Sequence, residues 1–195
     1  MQLLEATQTQ IIDTALNIFL QKGIKALTMQ KLAQELGVSS KTIYKLFGDK
    51  ANLLRACLNV HYQKLGNQIA LLHKDSEDSL IGMVKILEHL FKVEFEINPT
   101  FYADLNKFYP DIQDAALAGN GHRQSMMADL INLGKQKGLF LKHIDTNIFW
   151  IALRHLYSGV TRDHIYADIK ASPKDLLEQT IFTFLRGICT PKGLV

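Results

Sequence analysis

The chain has 195 residues, 47% of them hydrophobic and 21% charged, with a formal net charge of +3. That length allows one large domain or a small and a medium one, and no apolar run approaches the roughly 18 residues a membrane span needs. The start, MQLLEATQTQ, has no basic region followed by an apolar core, so it reads as no signal peptide and the expected location is the cytoplasm, with no membrane partner. Cys57 and Cys189 each sit in an apolar helical pattern and read as buried free thiols. No CxxC pair supports a zinc site or a redox pair.

Helical periodicity runs through nearly the whole sequence, so the fold class is all-α. The first helix is expected over about Thr7 to Lys22, with Ile12, Ala15, Leu16, Phe19 and Leu20 on one face and Gly23 at its C-cap. Thr28 is an N-cap for a second helix ending at Leu36, with Leu27 and Leu32 as a hydrophobic staple. Gly37 supplies a tight turn with positive φ. Ser39 caps a third helix, stapled by Val38 and Ile43. Ile43 and Phe47 lie one turn apart and face inward. Ser40, Lys41, Thr42, Tyr44 and Lys45 are then largely outward, a polar, basic and aromatic face suited to a DNA major groove. Ala33 is small where two helices cross. With Gly37 and Ile43 at these offsets, the packing is that of a helix-turn-helix. Asp49 caps a long fourth helix with an apolar stripe of Leu54, Leu58, Leu65, Ile69 and Leu72, and no linker precedes it.

Charge supports a polyanion partner. Residues 1–60 hold seven Lys/Arg against four Asp/Glu, and the remainder is neutral, so the whole excess lies in the first third.

Beyond the fourth helix, Ser79 to Ile97 is amphipathic through Met83, Ile86, Leu87, Leu90, Phe91 and Phe95, and Pro99 interrupts it. A short segment from Thr100 to Tyr109 follows. Pro110 opens a helix to about Lys137, weakened in its middle by Gly119, Asn120 and Gly121. A helix from Asp145 or Thr146 is apolar on nearly every side, through Ile148, Phe149, Trp150, Ile151, Leu153, Leu156 and Tyr157. Such a helix needs its own core on one side and a second subunit on the other. Ser172-Pro173 opens the last helix, to about Cys189.

The stretch from Ile11 to Leu54 resembles the TetR family of bacterial transcriptional regulators. The family's signature is met by Ala15, Phe19, Gly23, Thr28, Leu32-Ala33, Gly37-Val38-Ser39, Thr42-Ile43-Tyr44, Phe47 and Lys50. The resemblance implies an N-terminal three-helix helix-turn-helix DNA-binding domain, residues 1–50, and a larger helical ligand-binding and dimerisation domain, residues 51–195. It implies phosphate contacts for Thr28, Tyr44 and Lys50. Lys41, Thr42 and Lys45 are the candidates for base edges, and Ser39 and Ser40 complete the DNA-binding set. Lys22 and Lys25 read as solvated. Two departures stand out: Leu46 where relatives often carry His or Tyr, and Lys41 where many carry a small residue.

The resemblance further implies a homodimer formed through the two C-terminal helices, a pseudo-palindromic double-stranded operator, and a small-molecule effector held among the central helices. Phe91, Phe95, Phe101, Tyr102, Met126, Met127 and Leu130 are the candidate lining residues, a set suited to an adaptable apolar cavity. The function expected is a repressor released by a small apolar ligand. The alternative is a regulator controlled by a protein partner or by no effector. A helical enzyme would need a catalytic constellation, and the sequence offers no paired acid and base, nucleophile motif or phosphate loop. No cofactor is expected. The histidines form no HxxxH or HxxE pair, so no metal is expected either.

Overall fold

A computed structural model describes residues 2–74, 79–112, 121–163, 165, 166 and 168–194. The described chain is helical, and its one bridge between extended residues pairs Phe140 with Cys189. The helices are α1 (Gln2–Lys22), α2 (Met29–Leu36), α3 (Ser40–Phe47), α4 (Lys50–Lys74), α5 (Ser79–Phe95), α6 (Pro99–Phe108), α7 (Gly121–Gln136) and α8 (Thr146–Thr161). The last, α9, covers residues 173–186. It is α-helical over Pro173–Leu176, π-helical over Leu177–Phe182 and α-helical again over Thr183–Arg186. No helix among the described residues is long and apolar enough to cross a membrane.

The helix starts and stops follow the local chemistry. The Thr28 side chain accepts the N–H of Lys31, Ser39 that of Thr42, Asp145 those of Asn147 and Ile148, and Ser172 forms a capping box with Asp175. Gly37 ends α2 at φ 65°, a left-handed conformation that favours glycine. Three boundaries differ from expectation. α1 begins before Thr7, because Leu, Glu and Ala in the first turns all favour helix. Pro99 does not merely interrupt the fifth helix; it is the first residue of α6, with Asn98 as the N-cap. The π-helical turn in α9 carries no signal in a pattern read at 3.6 residues per turn. The expected break near Gly119 and Asn120 lies outside the described residues.

The chain divides into two compact units, Met1–Leu65 with Ile97–Gly119, and Gly66–Glu96 with Asn120–Val195. In the first, Ile11, Ala15, Phe19, Leu32, Ile43, Leu54 and Cys57 form one core with Phe101 and Leu105 of α6. Burial of these side chains, at about 1.5–3 kcal/mol each, outweighs the weak intrinsic stability of eight-residue helices such as α2 and α3. In the second, α5 packs on α7, α8 and α9, and the rings of Phe149 and Phe184 stack at 4.9 Å. Arg162, which ends α8, donates to the buried carboxylate of Glu94 on α5 at 2.5 Å.

Candidate nucleic-acid interface

The candidate DNA-facing surface is built on α3. Ile43 and Phe47 are buried beneath it, and Lys41, Tyr44 and Lys45 are exposed on it, Tyr44 by 43%. Ser40 and Thr42 are half-buried. Ser39 is exposed, and its hydroxyl is engaged as the cap, accepting the Thr42 N–H at 3.1 Å and lying 2.8 Å from the Thr42 hydroxyl. Leu46 is half-buried and packs against the core, so this departure from the family pattern serves packing.

Thr28 is exposed at the start of α2. The first amides of a helix have no intrahelical acceptor and carry partial positive charge, which makes such an end a place for a phosphate. Lys50 opens α4 beside Asp49, which caps that helix by accepting the Asn52 N–H at 2.8 Å. Lys50 is half-buried, with its ammonium 6.0 Å from the centre of the Phe19 ring. Burial lowers its pKa, and the nearby Asp104 carboxylate works in the opposite direction. The same carboxylate, after burial and together with Asp49, raises the pKa of the Tyr109 hydroxyl.

Residues distant in sequence hold the segment leading into α2. Asn98 caps α6 through its side chain, donates its backbone N–H to Leu20 O at 2.8 Å, and donates its amide Nδ2 to Gln21 O at 3.1 Å. Asp104 accepts the Lys25 N–H at 2.9 Å. Lys25 is not simply solvated, as its ammonium lies 4.0 Å from the centre of the Phe108 ring. Gly23, at φ 85°, completes the contact: a Cβ there would meet Thr100 Oγ1 at 2.6 Å. The Asn98-Pro99 pair signals a helix start in sequence, but nothing local signals its reach to residues 77 and 78 positions earlier.

The family model described as "Bacterial regulatory proteins, tetR family" matches residues 11–57, the segment that forms most of α1, all of α2 and α3, and the start of α4. Residues 11–57 thus carry the DNA-binding domain of the TetR family. The chain is a DNA-binding transcriptional regulator. It is 23% identical over 197 residues to the uncharacterized HTH-type transcriptional regulator YvkB of Bacillus subtilis, covering 93% of this chain and 97% of that one. It is 22% identical over 153 residues to the HTH-type transcriptional repressor KstR2 of Mycobacterium tuberculosis, covering 74% of each. The fold is shared with the fatty acid degradation regulator FadR from Bacillus halodurans, at TM-score 0.75, 19% identity and coverage of 92% of this chain and 95% of that one. A protein from Saccharomonospora viridis, solved in complex with choline, matches at TM-score 0.77 and 18% identity, over 95% of this chain and 99% of its own.

The candidate effector residues fall in different surroundings. Phe101 and Tyr102 are buried in the core of the first unit. Met126, Met127 and Leu130 are buried on α7 in the second. Phe91 and Phe95, with ring centres 4.8 Å apart, line an open groove between α5 and α9.

Proposed function

We propose that the chain acts as a homodimeric repressor whose two α3 helices enter successive major grooves of a pseudo-palindromic operator, and that a small molecule with an apolar body releases it. Residues 1–50 do the reading, and residues 51–195 bind the effector and dimerise. The observation that carries this reading is the α3 surface, where Lys41, Tyr44 and Lys45 are exposed over buried Ile43 and Phe47. Lys41, Thr42 and Lys45 contact base edges. The α2 N-terminus at Thr28, the Tyr44 hydroxyl and Lys50 contact phosphates, while Ser39 and Ser40 set the start of α3.

Dimerisation is supported by α8, where Ile148 is 70% and Ile151 49% exposed in the single chain, on the opposite side from buried Phe149 and Leu153. A helix with apolar side chains on both faces is stable in water once the second face is covered. An effector acts by binding the DNA-competent and DNA-incompetent states unequally. Two continuous stretches can carry that difference toward the reading helices: α4, which begins three residues after α3, and the connection from α5 through Asn98 into α6.

Selection of full-length protein against a random pool of duplex DNA tests the reading. Enrichment of an inverted repeat with half-sites about one helical turn apart is expected. Enrichment of no sequence, or of single half-sites without symmetry, would overturn it.

A further inference from the structure

The open groove between the last turns of α5 and the first turns of α9 offers about 430 Å³, a volume within the range of small-molecule sites. One wall is aromatic, formed by Phe91 and Phe95 with their rings tilted 36° to each other. The other wall is the π-helical turn of α9, which contributes Leu177 and Phe182. At 3.6 residues per turn, side chains five residues apart diverge by about 140°. In a π turn the repeat is i to i+5, so the two come close to one face. The irregular turn therefore puts both apolar side chains on the groove. Its loosened carbonyls have hydroxyl partners: Thr180 donates to Leu176 O and Thr183 to Glu178 O.

The charges at the groove are unequal. Glu88, Glu96 and Glu178 line it against Lys92 and Lys174. Lys174 and Glu178 pair with each other at 3.9 Å across one turn of α9, so the groove keeps an excess of one carboxylate, three against two. The last carbonyls of α5 add partial negative charge at the end that Phe95 and Glu96 occupy. Aromatic faces with a carboxylate excess attract a cation and disfavour an anion.

We propose that this groove binds an organic cation with an apolar body, an alkyl- or arylammonium whose charged head meets the exposed Phe95 ring and the carboxylates while its body lies along Phe182. The proposal rests on the reading of the chain as a ligand-released regulator and gives that ligand its chemical class and its place. The site abuts the end of α5, and Asn98, three residues beyond Phe95, holds the C-terminal end of α1 through Leu20 and Gln21.

Calorimetric titration of the full chain with hexyltrimethylammonium, 1-hexanol and hexanoate tests it, in the wild type and in Glu178→Gln and Phe182→Ala, with melting curves as the check on folding. The cation is expected to bind about tenfold more tightly than hexanol, and Phe182→Ala to weaken it about tenfold. Glu178→Gln, an isosteric change on an exposed side chain, is expected to weaken the cation about threefold and leave hexanol unchanged. Hexanoate or hexanol binding as tightly as the cation, no binding of any probe, or cation affinity unchanged in Glu178→Gln would overturn the site. A second arm uses DNA enriched from the random pool. If the cation binds the groove without releasing this DNA, the site stands and ligand release by it fails. If another compound releases the DNA and the cation does not bind, the site fails and ligand release stands.

Discussion

Asp104 accepts the backbone N–H of Lys25 at 2.9 Å, and so α6 holds the segment that leads into α2 from a position 79 residues later in the chain. Together with the two hydrogen bonds from Asn98 to Leu20 and Gln21, this contact fixes the C-terminal end of α1 to α6. Asn98→Ala removes both an N-cap and an interhelical bond. It is expected to lower stability by about 1–2 kcal/mol. Asp104→Ala is expected to cost about 1 kcal/mol, and Asp104→Asn, which keeps an acceptor, less. Thermal melts of the three variants measure this, and unchanged melting in Asn98→Ala would remove the contact from the account.

Lys50 opens α4 with its ammonium 6.0 Å from the centre of the Phe19 ring, and burial lowers its pKa. If it contacts a phosphate, Lys50→Ala weakens binding about equally on all sequences and lowers the slope of log affinity against log salt by about one. Fluorescence anisotropy at several salt concentrations reads the slope. An unchanged slope would take Lys50 off the list of phosphate contacts.

The Arg162–Glu94 pair is nearly enclosed, with Glu94 5% and Arg162 15% exposed. Arg162→Ala leaves a buried carboxylate without that cation, at an expected loss of about 3 kcal/mol. The double change Arg162→Met with Glu94→Leu removes both charges and is expected to recover most of the loss. Denaturant titration compares the two. A double variant no more stable than Arg162→Ala would contradict the assignment of that loss to a buried carboxylate deprived of its cation.

Cys57 is a buried thiol within 3.5 Å of the Ile12 carbonyl, and burial, with the Asp13 charge second, raises its pKa from 9.0 to about 12. The folded state thus holds this proton more tightly than the unfolded state. The resulting stability is fully present below pH 9.0 and is lost as pH rises toward about 12. Lysines and tyrosines titrate in the same window, so the difference between wild type and Cys57→Ala isolates the effect. The wild type is expected to lose more stability between pH 9 and 11 than the variant, as measured by urea titration. Parallel losses would place the thiol in water.

What could be read from the amino acids follows from how local the cause is. Thr28, Gly37, Ser39, Ile43 and Phe47 act within 20 residues of one another, through caps, a positive-φ glycine and a single inward face. Their chemistry is complete in the sequence. The roles of Asn98, Asp104 and Lys25 were not readable, because each depends on a partner more than 75 residues away. The π turn of α9 was hidden for another reason. Leu177 and Phe182 fit no single face at helical spacing, and only the altered repeat brings them together. Among the effector candidates, Phe101 and Phe91 look alike as apolar aromatics on amphipathic helices. Periodicity cannot distinguish a core such as that around Phe101 from a groove such as that lined by Phe91.

The central claim is that α3 reads the bases. Repeating the selection from random duplex DNA with Lys45→Ala and with Thr42→Ser tests it most directly. Each variant is expected to relax the consensus at one or two symmetry-related positions, with an affinity loss of about 1–3 kcal/mol for the wild-type site. The consensus elsewhere in the site is expected to stay the same. A consensus identical to the wild type at every position in both variants would contradict the assignment of α3 as the reading helix.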